Sequence, residues 1–263
     1  MTTEQYLPVI PPSAARLQLE QLINSTDFMI IGHRGAAGLA PENTLHSFNT
    51  ALAWQCPMLE LDVYACADQQ QQKQLVVIHD DKLNRTTNGQ GRVVDHTVEQ
   101  LRRLDAGDGE PIPLLQEVVD LINRHNAEHG TAVALNIELK GPQTAAPTAA
   151  ALSDMGVLNV LVSSFDHRQL QQFHTLAPTC PVAPLYDRYR SSWRTTAAEL
   201  NATAVNLSGR ICTKERIMAM REAGYPVFVY TINTIAQARE LRAAGANGVF
   251  TDRPDLLMPM LEE

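Results

Sequence analysis

Two histidines and two cationic residues follow apolar runs that are typical of buried strands. His33 and Arg34 lie in the glycine-rich stretch GHRGAAGLAPENT (32–44), which comes directly after one such run. His79 ends the run LVVIH, and Lys140 follows the run that ends in IEL. Histidine side chains titrate near neutrality, so a pair offers one proton donor and one acceptor. Arg and Lys supply the positive charge that an anionic substrate needs.

Three carboxylates occupy alternating positions on two of the predicted strands. Glu60 and Asp62 are separated by one residue, as are Glu138 and Lys140. Since residues i and i+2 of a strand project from one face about 6.6 Å apart, each pair points the same way. Carboxylates gathered at one place cost several kcal/mol unless a cation lies among them. Oxygen ligands select a hard ion, so we expect one divalent cation, Mg²⁺ or Ca²⁺, among these carboxylates.

A metal site with two cationic residues and two histidines beside it suits a singly charged phosphodiester. The hydrolysis of phosphate esters is so slow without a catalyst that its barrier must fall by on the order of 20 kcal/mol. Acid–base catalysis supplies about 3–5 kcal/mol of that decrease. Charge stabilisation by the metal, Arg34 and Lys140, together with positioning, must supply most of the remainder.

Strand-like apolar runs alternate with amphipathic, helix-like stretches along the chain. This alternation implies parallel strands, and at this length a TIM (β/α)8 barrel is the leading solution, with a doubly wound open sheet second. The ionisable residues follow four consecutive strands at their C-terminal ends, which form the catalytic face of such a barrel. There are nine candidate strands for eight barrel positions: 28–32, 58–63, 75–79, 132–139, 159–165, 182–186, 202–208, 226–232 and 247–251.

The domain organisation predicted is one barrel over residues 1–263, with an N-terminal extension over about 1–27. Within the extension, the mildly amphipathic segment 13–24 predicts a helix packed on the barrel. Residues 64–74 are too short and polar for a helical crossover, so we expect an irregularity there. The turn-rich stretch at about 80–113 predicts a small insertion after the third strand.

Composition and charge argue against several classes of protein. The chain is 44% apolar and 19% charged, as in ordinary globular proteins, and its formal net charge of −8 leaves no basic surface for nucleic acid. We find no signal peptide, and no apolar run approaches the ~18 residues of a membrane span, so no stable membrane insertion is expected. The four cysteines lie far apart and are expected to be reduced. These features predict a cytoplasmic protein and leave its oligomeric state open.

The motifs GHRG…PENT, ELDV, VVIHDDKLNRTTNGQG, IELK, SSFD and GVFTDRP resemble, in this order, those of glycerophosphodiester phosphodiesterases. The resemblance runs from about residue 30 to 256. It implies a TIM barrel that hydrolyses small glycerophosphodiesters, such as glycerophosphocholine and glycerophosphoethanolamine, to sn-glycerol 3-phosphate and an alcohol. The roles it implies are acid–base catalysis by His33 and His79, phosphate binding by Arg34 and Lys140, and metal binding by Glu60, Asp62 and Glu138.

Three further residues are assigned to substrate binding by the resemblance. Glu42 supports the site in this interpretation, whereas capping of the following helix by Glu42 and Asn43 is the alternative. Phe165, at the end of the fifth strand, either walls the pocket or packs under a loop. Tyr230 precedes Asn233 by three residues, at a place where the family often carries Trp. Because of this difference, the alcohol preferred by members of the family cannot be assigned to this protein.

Other functions remain open at this point. A lysophospholipase D-like or phospholipase C-like barrel keeps the chemistry but needs an apolar mouth or a lipid-facing segment. A catalytically inactive binding module should lack a histidine or a metal ligand, yet all of these positions are filled. A glycosidase leaves Arg34, Lys140 and the paired histidines without a role. The resemblance does not decide which histidine is the acid, nor whether water or the substrate's own hydroxyl attacks phosphorus.

Overall fold

The computed structural model describes residues 19–25, 27–155 and 159–262. The strands within these ranges are β1 (Met29–Gly32), β2 (Met58–Ala67), β3 (Lys73–Val77), β4 (Ala134–Leu139), β5 (Val160–Ser164), β6 (Val182–Tyr186), β7 (Val205–Ser208), β8 (Val227–Tyr230) and β9 (Gly248–Thr251). The helices are Leu45–Ala53, Val98–Leu101, Leu115–His129, Ala145–Asp154, His167–Leu176, Trp193–Glu199, Lys214–Glu222, Ile235–Ala243 and Pro254–Leu257, with 3₁₀ turns at Val93–Asp95 and Pro259–Glu262.

Eight of the described strands close a parallel barrel. Their order is β1, β2, β4, β5, β6, β7, β8 and β9, and β9 pairs back with β1. Every pair in this ring is parallel. Helices alternate with most of the strands along the chain, as crossovers between parallel strands require. The TIM barrel predicted from the sequence is therefore confirmed, and the open sheet is excluded.

β3 lies outside the ring and accounts for the ninth candidate strand. It pairs antiparallel with the outer part of β2, with Val77 opposite Val63 and Lys73 opposite Ala67. The prediction of a parallel barrel strand over 75–79 was therefore wrong. Because β2 extends past its pairing with β4 and turns back within a few residues, the two strands form a hairpin, which needs no helical crossover. This hairpin is the irregularity expected at 64–74.

The alternation of side chains along β2 directs its carboxylates into the barrel. Leu59 and Leu61 pack outward in the apolar cluster that includes the surrounding helices, and both are fully buried. Glu60 and Asp62 lie between them in sequence and therefore point to the opposite, inner face. In the parallel register with β4, Asp62 lies opposite Glu138, so carboxylates of two strands meet at one level of the barrel.

A helical segment over 19–23 closes the amino-terminal end of the barrel. Leu19 and Ile23 are each 1% exposed and pack with Met58, Phe228 and other inward-facing side chains. Residues 13–18 of the helix predicted at 13–24 lie outside the described residues. Residues 19–23 are helical, and Leu19 and Ile23 pack on the barrel. Among the helices that the structure describes, none combines the length and the apolar character needed to cross a bilayer.

The stretch 80–113 packs on the hairpin. Its buried side chains Leu83 and Leu101 join Tyr64 and Val76 in a small apolar cluster separate from the main cores. The stretch contains only a 3₁₀ turn and one short helix in place of a full crossover element. The hairpin and this stretch together therefore form a small structure beside the carboxyl ends of β2 and β4.

Candidate active site

The predicted site residues converge at the carboxyl-terminal mouth of the barrel. A pocket of about 110 Å³ opens there. Its lining includes His33, Arg34, Glu60, His79, Glu138, Lys140, Phe165 and Tyr230. Asp62 lies directly behind this lining, with its Oδ1 3.3 Å from Lys140 Nζ. Glu42 lies behind Arg34, whose Nη1 donates to Glu42 Oε1 at 2.7 Å.

The three carboxylates form one buried cluster. Glu60, Asp62 and Glu138 each offer an oxygen atom within 4.8 Å of the others. Their residues are only 3%, 1% and 8% exposed, respectively. Lys140 Nζ lies 2.5 Å from Glu138 Oε1, and the backbone N–H of Arg34 donates to Glu60 Oε2 at 2.9 Å. The parallel pairing of β2 with β4 thus produces the convergence that the alternating spacing predicts.

Burial favours the neutral form of all three carboxyl groups, and the surrounding charges either add to that effect or oppose it. Burial and the neighbouring carboxylates raise the pKa of Glu60 well above its usual range. Burial also raises the pKa of Glu138, to about 7, although Lys140 opposes the shift. Burial alone would raise the pKa of Asp62 too, but positive charges, Lys140 foremost, outweigh it and hold that pKa below its ordinary value. A bound cation would reduce the repulsion between these buried carboxylates, so the cluster is electrostatically suited to hold one.

The donor set fits a hard divalent cation. All three donors are carboxylate oxygens, which Mg²⁺ and Ca²⁺ prefer over nitrogen or sulfur. Asp62 Oδ2 accepts a hydrogen bond from Asn43 Nδ2 at 2.9 Å, and Asp62 Oδ1 faces Lys140 Nζ at 3.3 Å. Asn43 and Lys140 therefore orient the carboxylate of Asp62 within the acidic cluster.

His33 is oriented by the carboxylate of Asp252, the residue that follows the last barrel strand. His33 Nδ1 lies 2.6 Å from Asp252 Oδ1, just beyond β9. Asn233 holds Asp252 by donating from Nδ2 to its Oδ2 at 2.7 Å and by accepting its backbone N–H at 2.8 Å. Burial opposes ionisation of Asp252, but the contacts with His33 and Asn233 and the charge of Arg34 together outweigh it and lower the pKa of Asp252. The imidazole therefore turns Nε2 toward the carboxylates, 4.0 Å from Glu60 Oε2.

His79 has the same kind of partner. Its Nδ1 lies 2.6 Å from Oδ1 of Asp80, the next residue in the chain. The hairpin returns His79 to the barrel mouth, where the backbone N–H of Ile78 donates to the carbonyl oxygen of Asp62 at 3.0 Å. Burial lowers the pKa of His79, although the negative charge of Asp62 opposes the shift. The structure thus places two carboxylate-oriented imidazoles beside one acidic cluster.

The loop after β1 contradicts the capping alternative for Glu42 and Asn43. The helix Leu45–Ala53 is capped by Thr44, whose side chain accepts the backbone N–H of Ser47. Glu42 instead accepts hydrogen bonds from guanidinium groups, and Asn43 donates to Asp62. Thr44 therefore takes the capping position, and the side chains of Glu42 and Asn43 contact the polar cluster instead.

Phe165 and Tyr230 form one aromatic wall of the pocket. Their rings make an edge-to-face contact with centroids 5.8 Å apart, and Lys140 Nζ lies 5.5 Å from the centroid of Phe165. Phe165 is 42% exposed, so it lies at the mouth and not under a loop. Tyr230 Oη is buried and makes no hydrogen bond.

The sequence patterns assigned no role at the site to four residues that the structure places there: Asp80, Arg85, Asn233 and Asp252. Asp252 directly follows β9, and Asp80 directly follows the apolar run that ends in His79, so the end of an apolar run was a usable signal for both. Asn233 follows β8 and was noted only for its spacing from Tyr230. Arg85 lies in a turn of the stretch 80–113, where no periodicity points to the site.

A (β/α)8 barrel with acidic, imidazole and cationic groups gathered at its carboxyl-terminal mouth belongs to the class of TIM-barrel enzymes. The sequence pattern of the glycerophosphoryl diester phosphodiesterase family matches residues 33–256. The chain therefore belongs to the glycerophosphoryl diester phosphodiesterase family, as the motifs predict, and the enzyme class is confirmed.

Individual relatives align with most of the chain. YhdW of Bacillus subtilis is 35% identical over 245 residues, which cover 87% of this chain and 96% of that one. A glycerophosphodiester phosphodiesterase of Bacillus altitudinis is 33% identical, with 89% and 98% covered. The structure of an Oleispira antarctica phosphodiesterase in complex with its product sn-glycerol-3-phosphate matches with a TM-score of 0.83 at 28% identity, covering 92% of this chain and 99% of that one.

Proposed function

We propose that this protein hydrolyses small glycerophosphodiesters to sn-glycerol 3-phosphate and an alcohol, assisted by one divalent cation. The observation that carries this proposal is the pocket in which two carboxylate-oriented imidazoles lie beside a buried acidic cluster. Family membership supports the reaction, and the product-bound Oleispira relative supports glycerol 3-phosphate as the retained half.

Glu60, Asp62 and Glu138 would hold the cation, Mg²⁺ or Ca²⁺. When bound, such an ion supplies Lewis-acid polarisation of a phosphoryl oxygen and neutralises charge. Lys140 already neutralises part of the acidic cluster through its contacts with Glu138 and Asp62. An ammonium group held in this way would lie between the carboxylates and an incoming phosphate.

Arg34 and the two histidines would act on the diester itself. Arg34 presents a planar fork of N–H donors, which matches two oxygens of one phosphate. One imidazole would take the proton of the attacking nucleophile, which is either water or the substrate's own hydroxyl, and the other would donate a proton to the alcohol that leaves. If the substrate's hydroxyl attacks, water then opens the cyclic phosphate to give glycerol 3-phosphate. Asp252 and Asp80 hold the rings by Nδ1, so Nε2 is the nitrogen available for each transfer.

The aromatic wall would bind the carbon skeleton of the glycerol moiety. Phe165 and Tyr230 line the same pocket as the candidate catalytic groups, and Tyr230 Oη offers an unused donor to a substrate hydroxyl. Glu42 would act on the substrate only through Arg34, which it contacts. The cytoplasmic location stays a prediction from the sequence.

The experiment that tests the function is an assay of glycerophosphocholine hydrolysis by the purified protein. We expect glycerol 3-phosphate to be released, activity to vanish with EDTA, and Mg²⁺ or Ca²⁺ to restore it. His33→Gln and His79→Gln should each lower kcat by about 10²–10⁴-fold, the contribution typical of acid–base catalysis. Faster hydrolysis of lysophosphatidylcholine would favour the lysophospholipase alternative, and near-normal turnover by either variant would contradict the role of that histidine.

A further inference from the structure

Arg85 joins the two halves of the candidate site from outside the pocket. Its guanidinium group makes four hydrogen bonds, two to each of two carboxylates. Nε and Nη2 donate to Asp80 at 2.6 and 2.9 Å. Nη1 and Nη2 donate to Glu42 at 2.7 and 2.8 Å. Paired contacts of this kind fix the orientation of both partners, because the donors of a guanidinium group are rigidly arranged.

Each of these carboxylates holds one predicted site residue. Asp80 Oδ1 lies 2.6 Å from His79 Nδ1, and Glu42 Oε1 accepts from Arg34 Nη1 at 2.7 Å. The chain of contacts therefore runs from His79 through Asp80, Arg85 and Glu42 to Arg34. Arg85 does not line the pocket itself.

The backbone that carries Arg85 is firmly anchored. Leu83 is fully buried in the apolar cluster formed with the hairpin. Its backbone N–H donates to the carbonyl of Gly91 at 3.0 Å, and its own carbonyl accepts from Thr87 N at 3.1 Å. The side chain of Arg85 is 49% exposed, so the contacts of its head group with Glu42 and Asp80 determine its position more than packing does.

We propose that Arg85 is a positioning residue, which aligns His79 and Arg34 with each other through Asp80 and Glu42. The proposal rests on the proposed function, since it assumes that these two residues act on the substrate. Without Arg85, Asp80 and Glu42 lose the link between them, and both the imidazole and the guanidinium group gain freedom. Small misplacements of catalytic groups cost up to about 100-fold in rate.

The decisive variants are Arg85→Ala and Arg85→Lys. We expect Arg85→Ala to lower kcat/KM by roughly 10- to 100-fold, with both a lower kcat and a higher KM. Added methylguanidine should restore part of this activity, because the site of the missing group opens to solvent. Arg85→Lys restores the charge but cannot make two paired contacts, so it should stay impaired. Wild-type activity in Arg85→Lys would show that a point charge suffices and would overturn the proposal.

Arg102→Ala is the matched control. Arg102 lies in the same stretch and donates to Glu117 Oε1 at 2.6 Å and to the carbonyl of Ile112 at 2.7 Å, away from the pocket. This variant should retain kcat and KM even where it lowers thermal stability. If it lowered kcat as much as Arg85→Ala, the effect would be merely structural and the positioning role would be wrong.

A spectroscopic measurement separates this proposal from the function. The Nδ1 proton of His79, hydrogen-bonded to Asp80, should give a downfield proton resonance, assigned by its loss in His79→Gln. Arg85→Ala should shift or broaden this resonance, and Arg102→Ala should not. An unchanged resonance would overturn the proposal, even if the protein hydrolysed no glycerophosphodiester. If wild-type protein is active and Arg85→Ala is fully active, the proposed function stands and the positioning role fails alone.

Discussion

At the scale of single residues, the site is defined by carboxylates in two different situations. Glu60 and Glu138 are buried beside other carboxylates, and burial raises the pKa of each. Asp80 and Asp252 lie farther out, and each holds the Nδ1 side of one imidazole. The first situation suits a cation and the second suits proton transfer.

We expect Asp252→Asn to lower kcat by at least about tenfold while the fold stays intact. An amide at this position no longer supplies the negative charge that stabilises a protonated His33 and selects its tautomer. Steady-state kinetics and circular dichroism check both parts of this expectation. Asp255→Asn is the control, because Asp255 pairs with Arg253 and contacts no histidine. If Asp252→Asn and Asp255→Asn lowered kcat equally, the loss would not come from the contact between Asp252 and His33.

Binding of the cation should weaken as the pH falls through the pKa of Glu138, which burial raises to about 7. A cation binds the ionised carboxylate, so below this pKa it must displace a proton. We expect the Kd for Mg²⁺ or Ca²⁺ to rise by up to about tenfold per pH unit below neutrality. Titration calorimetry at about pH 6 and about pH 8 measures this change. A Kd that is the same at both values would contradict the expectation.

At the scale of elements, β3 brings His79 to the barrel mouth by pairing with β2, although β3 itself does not belong to the barrel. Tyr64 lies on the hairpin beyond the pairing with β4, and its ring packs in the small apolar cluster with Val76 and Leu83. The same ring lies against Gly141, which follows Lys140 directly. The hairpin therefore restrains the segment that carries Lys140.

Gly141→Ala tests this contact. Gly141 has φ +64°, and a Cβ atom there would come within 2.7 Å of the Tyr64 ring. Gly130 has φ +65°, and a Cβ atom there would meet nothing within 4 Å. Both variants bear the left-handed backbone cost, but we expect Gly141→Ala to lower the free energy of unfolding by about 1–3 kcal/mol more than Gly130→Ala, because only Gly141→Ala overpacks. Urea denaturation of the matched pair measures the difference, and equal losses would contradict a tight hairpin contact.

At the scale of the whole molecule, the two ends of the barrel have separate tasks. The carboxyl-terminal mouth holds the polar groups, and the amino-terminal end is filled by apolar side chains with Leu19 and Ile23 among them. Such a division is common in TIM barrels, where the lower face contributes stability and the upper face chemistry.

Leu19→Ala should therefore affect stability without affecting catalysis. Removal of this side chain, which is 1% exposed, leaves a cavity and should lower the free energy of unfolding by about 2–5 kcal/mol. Because the change lies at the opposite end from the pocket, kcat/KM of the folded protein should stay unchanged. Leu176→Ala, at a position that is 54% exposed, is the control and should change stability by less than about 0.5 kcal/mol. A large loss of kcat/KM in Leu19→Ala would show that the two ends are linked.

The sequence by itself determined the residue types at the site, the inward face of Glu60, Asp62 and Glu138, and the barrel. These features depend on local alternation and on the order of strands and helices, which apolar patterning records. The pairing direction of β3 was not determined this way, because an apolar run is compatible with either direction.

Only the tertiary structure decided how the imidazoles and cationic groups are held. His33 meets Asp252 from the far end of the chain, and Arg85 reaches Glu42 across 43 positions. Such contacts form when barrel closure brings distant loops together, and no periodicity in a single sequence encodes them. Closure of the parallel barrel thus brings polar residues that are far apart in the sequence together at one site.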